Sequence, residues 1–180
     1  DRGASLIVVD PRETPTARTA DLWLPVKPGT DVALLNAMLR VLIHDGMVDE
    51  AYLRERTNGW EEVLAEAEKF PPEEAERITG VPAARIVAAA RIYGQATTSL
   101  IMHARGIEHS THGVNNVLAC INLALARGQV GKPGGGVTML TGQGNGQGGR
   151  EVGQKANQLP GYRHIDVPEE RQYIADVWGI

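Results

Sequence analysis

The segment TGQGNGQGGREVGQKANQLPGYR, residues 141–163, combines a backbone largely bare of side chains with amides and an arginine. Glycine lets a chain take positive φ angles and approach a bulky ligand closely, and successive exposed N–H groups form an anion cradle. Gln143, Asn145 and Gln147 can bond a heteroaromatic ring, and Arg150 can attract an oxyanion. A flexible linker is the competing reading, but linkers run to Gly and Ser monotony, whereas amides and an arginine are specific donors. KPGGG at 132–136 supplies the same bare backbone a second time. Neither stretch is followed by GK[ST], so neither is a Walker loop, and GQGNGQGG is expected to lack the strand-to-helix setting of a dinucleotide fingerprint.

Two carboxylates extend the set. Asp10 follows SLIVV, where an acidic side chain can accept from a ribose hydroxyl or a purine amino group; a loop or cap aspartate is the alternative. Asp31, in PGTD, is first an N-cap residue for the following helix, but a carboxylate beside free N–H groups also matches the paired donors on guanine's Watson–Crick edge. Cys120 lies in VLACINLAL and reads as a small buried hydrophobe, not a metal ligand. Being the only cysteine, it excludes an internal disulfide and any all-cysteine zinc or iron–sulfur site made by this chain alone. His44, His103, His112 and His164 read as structural or exposed.

The elements that must position these residues alternate between strand and helix. SLIVVD (5–10) is a buried β-branched run, 20–26 has short strand character, and Leu34, Leu35, Met38, Leu39 and Leu42 recur at helical spacing after PGTD. Short amphipathic helices with acidic first turns follow, then PAARIVAAARIYG at 82–94, as a helical insertion. TTSLIMHARG returns to strand, a helix covers about 113–127, and the chain after Gly128 is expected to be loop-dominated. Such alternation predicts an α/β fold with a parallel sheet, where ligands bind beyond the carboxyl ends of the strands. The expected organisation is part of a Rossmann-like domain with a helical insertion over 1–142, and over 143–180 a Gly-rich loop leading into an adjoining domain.

Composition narrows the partners. The 180 residues carry a formal charge of −4 and no basic stripe, which argues against nucleic acid, and no apolar run is long enough to span a membrane. A bound nucleotide would be a single small molecule.

At this point the residues carry a resemblance. VVDPRETPTARTADLWLPVKPGTDVALLNAML, GVNNVLACINLALARGQVGKPGGG and TGQGNGQGGREVGQKANQLPGYR resemble consecutive blocks of the molybdopterin oxidoreductases, a family that includes dimethyl-sulfoxide reductase, formate dehydrogenase and bacterial nitrate reductase. The resemblance covers nearly the whole chain and implies molybdenum held as bis(molybdopterin guanine dinucleotide), acting by two-electron chemistry on a small oxyanion. By this similarity, Asp10, Pro11, Arg12, Glu13 and Thr14 match a post-strand loop that contacts one guanosine, and Gly29, Thr30 and Asp31 match the turn that holds the guanine. Arg105, Gly106 and His109 match a loop beside the cofactor, Gln143 a pterin contact, and Arg150 the substrate-side arginine of a GREVG block. Many nitrate reductases carry Met and Gln where Arg105 and His109 stand. Formate dehydrogenases commonly place an arginine at the position of Thr141, so Thr141 with Arg150 favours nitrate, as in the assimilatory-type nitrate reductases.

The chain opens DRGASLIVVD without Met, one turn before a core strand, and is expected to be an internal fragment. The resemblance places a 4Fe–4S cluster and the protein ligand of molybdenum upstream, and a further cofactor-binding domain downstream. It implies nitrate, an electron-donor protein or subunit, and the remaining domains of the same cytoplasmic enzyme as partners. The fragment alone is expected to be inactive, to expose apolar surface and to self-associate. A formate dehydrogenase fragment is the nearer alternative; a non-catalytic nucleotide-binding module is the alternative of another class.

Overall fold

A computed structural model describes residues 3–180, which divide into two compact units meeting in sequence at Met139 and Leu140. The first is mixed α/β with a helical majority. Strand β1 (Ile7–Val9) and strand β2 (Leu22–Leu24) pair in parallel, Ile7 opposite Leu22 and Val9 opposite Leu24, across a connection containing the short helix α1 (Pro15–Arg18). Helix α2 (Asp31–His44) follows, then α3 (Glu50–Arg56), α4 (Trp60–Ala67), α5 (Pro72–Thr79) and α6 (Ala83–Gln95). Strand β3 (Leu100–His103) leads through the short helix α7 (Arg105–Glu108) into α8 (Gly113–Ala126), and β4 (Gly136–Met139) pairs in parallel with β3.

The core forms around α2. Its spacing buries Leu34, Met38, Leu39 and Leu42 against Ala67, Ala75, Ile86, Ala90 and Leu123 from the surrounding helices and Val81 from the α5–α6 connection. Helix α2 stops because Gly46 takes φ +64, closing a two-bond cap in which Gly46 N–H donates to Ile43 O and Met47 N–H to Leu42 O. On α6, Gly94 lets the helices approach: a Cβ there would lie 2.5 Å from Met47 Sδ and 2.6 Å from a Leu42 methyl. The predicted helical insertion is therefore packed tightly into this core.

Two expectations need correction. The regular part of SLIVVD is only Ile7–Val9, and among the described residues it has β2 as its one strand neighbour, so the extended Rossmann-like sheet resolves into two separate two-stranded parallel sheets. The chain after Gly128 is not loop-dominated. It holds β4 at the end of the first unit, and the second unit contains α9 (Gly146–Glu151), β5 (Gln158–Leu159) antiparallel to β6 (Arg163–His164), and α10 (Pro168–Trp178). Helix α10 has ordinary start and stop signals: Pro168 in its first turn, Glu169 and Glu170 beside the positive helix end, and Gly179 at φ +71 after it. Helix α9 forms against the low propensity of GQGGRE, starting from Asn145 in the left-handed region at φ +54.

Candidate functional site

The first set of predicted residues lies at the carboxyl edge of the β1–β2 sheet. After β1, one Asp10 carboxylate oxygen accepts the Arg12 N–H at 2.8 Å, and the Asp10 carbonyl accepts from Trp23 Nε1 at 2.8 Å, tying the loop to β2. Thr14 Oγ1 accepts the Ala17 N–H and caps α1, while exposed Glu13 faces Arg18 at 3.9 Å. Pro11 and Arg12 are exposed between them. Part of Asp10 and the Thr14 hydroxyl therefore serve the loop itself.

After β2, Lys27–Thr30 make a tight turn in which Thr30 N–H donates to Lys27 O at 3.2 Å. Pro28 and a Gly29 at φ +82 suit the two central positions of a type II turn. Nothing lies within 4 Å of where a Gly29 Cβ would stand, so this backbone is open to a ligand. Asp31 is not the N-cap: Thr30 holds that position, with its hydroxyl turned back onto Lys27 O at 2.7 Å, and Asp31 is the first helical residue. Burial raises the half-buried Asp31 carboxyl above the usual carboxylate range, opposed by a hydrogen bond from its own backbone N–H. A desolvated acceptor beside an open turn suits a ligand that brings two N–H donors.

The second set lies at the carboxyl end of β3. Arg105 and Gly106 belong to a helical turn, α7, and not to the irregular loop expected. Arg105 Nη1 donates to His109 Nε2 at 2.8 Å, which orients the exposed guanidinium and leaves this His nitrogen as the acceptor. His103 Nδ1 meets Glu108 Oε1 at 3.1 Å underneath. The turn is fastened from below: Asn116, 2% exposed, donates through Nδ2 to Ile107 O at 2.9 Å and to Ser110 Oγ at 3.3 Å. Gly113 admits the Glu108 carbonyl where a side chain would stand. Sequence reasoning passed over Asn116, although a polar residue sharing the buried face of α8 with Ala119, Cys120 and Leu123 was the available signal. Helices α2 and α7 both pack against α8, so the Asp31 turn and the Arg105 turn lead onto the same helix.

KPGGG has another role than the cradle expected. It enters β4 at its amino end, opposite to the ligand edge of a parallel sheet. It packs on Gln129, fully buried, whose Oε1 accepts the Ser99 N–H at 3.0 Å and whose Nε2 donates to Arg127 O at 3.2 Å. A Cβ on Gly135 would meet the Gln129 carbonyl at 2.7 Å and its side-chain oxygen at 2.9 Å. Gly135 permits this close packing.

Gln143 and Arg150 belong to the second unit, and both are exposed. Thr141 Oγ1 donates to Gln143 O at 2.9 Å, closing a small turn and leaving the Gln143 amide outside it. Arg150 sits in the last turn of α9, so GQGNGQGGR is a loop into a short helix and not irregular throughout. Gly142, Gly144 and Gly146 have open space around them, whereas Gly149 is packed against the Gln154 side chain. Two surface concavities lie elsewhere, one around Leu53, Trp60 and Leu125, the other around Tyr52, Arg56 and Lys132; neither includes a predicted ligand residue. Among the described residues no three His, Cys, Asp or Glu side chains converge as a metal site, and no helix is long and apolar enough to cross a membrane.

The molybdopterin oxidoreductase family model matches residues 1–175. The chain is 44% identical over 178 residues to the F420-dependent formate dehydrogenase 1 subunit alpha of Methanococcus maripaludis, covering 99% of this chain and 26% of that protein. It is also 44% identical over 180 residues to the assimilatory nitrate reductase catalytic subunit of Bacillus subtilis, covering 100% of this chain and 25% of that one. Among solved structures, the acetylene hydratase from Pelobacter acetylenicus superposes with a TM-score of 0.71 at 30% identity, covering 74% of this chain and 18% of the hydratase. The chain thus spans about a quarter of the length of these curated relatives. A match over nearly every residue, with the α/β fold superposing on a solved relative, settles the family: the chain belongs to the molybdopterin oxidoreductases.

Proposed function

We propose that the chain is the cofactor-holding part of a cytoplasmic molybdenum nitrate reductase. In this reading the Asp10–Thr14 loop and the Gly29–Asp31 turn receive guanosine ends of a bis(molybdopterin guanine dinucleotide) cofactor, and Arg105, Gly106, His109 and Gln143 contact the rest of it. The observation that carries the reading is the first sheet's edge: the Asp10–Thr14 loop and the Gly29–Asp31 turn reach one carboxyl edge, and the turn combines open backbone at Gly29 with the half-buried Asp31 carboxylate. The residues fit the group. The exposed Gly29 turn has room for a base, and Asp31 presents two acceptor oxygens whose desolvation a guanine's paired donors would offset.

The two-electron chemistry would come from the bound metal centre, with a 4Fe–4S cluster on another part of the protein passing electrons from a donor protein or subunit. This chain's residues bind, orient and supply charge. Asp31 holds the guanine edge, Arg105 and His109 hold an anionic part of the cofactor, and Arg150 draws the oxyanion with its planar fork of donors. Nitrate is favoured over formate because Thr141 is neutral and bonded into its own turn, leaving Arg150 as the cation of this segment proposed for substrate. Formate oxidation is the second reading, supported by equal identity to the methanococcal formate dehydrogenase subunit.

Metal and pterin analysis of the protein that carries this chain tests the cofactor, with nitrite production from nitrate and oxidation of formate measured on the same preparation. Molybdenum with guanine-containing pterin and nitrate turnover is expected. Formate turnover alone would replace the substrate assignment, and absence of pterin would leave a non-catalytic nucleotide-binding module. The isolated chain is expected to self-associate through exposed apolar side chains such as Met102, Val114, Val177 and Trp178. Light scattering from a non-associating monomer would contradict that.

A further inference from the structure

The α5–α6 junction, inside the helical insertion, reaches the turn assigned above to guanine. Lys27 N–H donates to Thr79 O at 2.9 Å, and Lys27 O accepts Thr30 N–H at 3.2 Å and Thr30 Oγ1 at 2.7 Å. Both backbone polar groups of Lys27 are thus committed, one to the insertion and the other to the turn. Beyond Lys27 the chain is open: Pro28 and Gly29 are exposed, with nothing within 4 Å of a Gly29 Cβ. The open part of the turn therefore takes its position from Lys27 at one end and from α2 at the other.

Thr79 is fully buried, and its hydroxyl is used twice: it donates to Ala75 O at 2.7 Å and accepts the Val81 N–H at 3.1 Å. Gly80, at φ +76, closes α5 by donating its N–H to Glu76 O at 2.8 Å, and Glu76 Oε2 accepts the Ala83 N–H at 2.8 Å, tying in the start of α6. Val26 and Val81, on either side of the Lys27–Thr79 bond, are both buried in the core around α2. The missing side chain of Gly80 also leaves room for the Lys27 stem, since a Cβ there would stand 3.0 Å from Lys27 Cε and 3.6 Å from its Cγ. An exposed turn that meets a ligand in one geometry binds better when its support is rigid, because less ordering remains to be done on binding. We infer that Thr79 is a positioning residue for the guanine turn, fixing through Lys27 the place at which Gly29 and Asp31 meet the base. This rests on the assignment of that turn to guanine, and it gives the helical insertion a part in cofactor binding.

The test compares Thr79→Val, Thr79→Ser and Ile86→Val in the protein that carries this chain. Valine keeps the volume and loses the hydroxyl that closes the junction, and serine keeps the hydroxyl. Ile86→Val trims a buried side chain of α6 at a comparable loss of stability and leaves every hydrogen bond of the junction in place. The readouts are the rate at which guanine-containing pterin leaves the purified protein and amide exchange in the peptide that contains Lys27 and Thr30. In Thr79→Val both should rise roughly 2- to 12-fold, the worth of one hydrogen bond, while Thr79→Ser and Ile86→Val stay within about twofold of the parent. Equal release from Thr79→Val and Ile86→Val would reduce the effect to global stability and overturn the proposal, as would unchanged exchange at Lys27. Should the valine variant not fold, Gly80→Ala decides: its methyl group displaces the Lys27 stem and should speed release, and parental release would overturn the proposal. Asp31→Asn separates the two levels. Cofactor loss there without loss in Thr79→Val leaves Thr79 a purely structural residue, whereas full retention in Asp31→Asn removes the guanine assignment and the role of Thr79 with it.

Discussion

The two glycine-rich stretches look alike in composition and are built for opposite purposes. KPGGG is pressed onto a buried amide at the amino end of β4, and Gly134 and Gly136 take φ +79 and +112. In GQGNGQGG, by contrast, Gly142, Gly144 and Gly146 face open space. Glycine is required in the first because another backbone occupies the position of its Cβ, and is available in the second for a partner outside the described chain. Substitution separates the two cases. Gly135→Ala pushes a methyl group into the Gln129 carbonyl and should destabilise the protein by about 3 kcal/mol, the upper end for overpacking. Gly144→Ala should stay within roughly 0.5 kcal/mol of the parent, like other surface changes. Denaturant unfolding of both variants measures the contrast; equal losses would break it.

Arg150 sharpens the comparison from the ligand side. It is exposed at the end of α9, where the glycine-rich segment becomes helical. If it draws an oxyanion, Arg150→Ala should lower kcat/KM for nitrate by an amount equivalent to roughly 1.5 to 3 kcal/mol, the worth of a charge-assisted hydrogen bond. Arg150→Lys should fall between, because an ammonium keeps the charge but not the planar fork. Molybdenum content should hold in both. Cofactor loss in step with activity would give Arg150 a structural role, as a tie for the segment.

What was legible in the sequence follows the same division between packing and exposure. The apolar spacing of α2 was readable because one buried stripe serves one helix, and Leu34, Met38, Leu39 and Leu42 are all in the core. The β3 and α8 segments were readable for similar reasons. The position of KPGGG was not, because composition cannot tell a glycine packed on a neighbour from one left open. Helix α10 was missed although Pro168, two glutamates and Gly179 marked both its ends; among the described residues of its unit, Ile174 is the only large buried apolar side chain, so the usual apolar stripe was faint. At the site, the grouping of Asp10 with Asp31 followed from reading two parallel strand ends. Asn116 and Gln129 escaped notice because their work is done through contacts distant in sequence.

Asp31 stands between the two extremes, half-buried and still open to a ligand. Asp31→Asn replaces one acceptor oxygen by a donor, and should weaken retention of a guanine cofactor by roughly 1 to 3 kcal/mol, the range for a bidentate base contact. The cofactor-free protein should respond in the opposite sense. Because burial raises the folded pKa, Asp31 favours folding below the ordinary aspartate value of about 4, and that contribution is lost as pH rises through the raised folded pKa. The asparagine variant has no such loss and should gain on the parent across that interval. Pterin content after purification and unfolding midpoints between pH 4 and 7 give the two readouts. Reduced stability with unchanged cofactor content would make Asp31 a helix-end residue favoured by the dipole alone.

Cys120 lies at the packed end of the comparison and should show a small effect. It is 2% exposed on α8, and its thiol is pushed up to about 11, first by burial and then by the nearby Asp31 charge. A thiolate is the form that attacks alkylating reagents and binds metals, so at neutral pH this sulfur is held in its inert state. Cys120→Ala should cost about 1 kcal/mol, the scale of one buried apolar atom, and leave molybdenum content and nitrate turnover unchanged. Alkylation of the native protein should be slow until it unfolds. In Asp31→Asn the second cause of the shift disappears, so the pH at which Cys120 begins to react should move down. An unmoved profile would show that Asp31 and α8 do not sense each other, and loss of metal in Cys120→Ala would give the cysteine a part in the centre that its burial argues against.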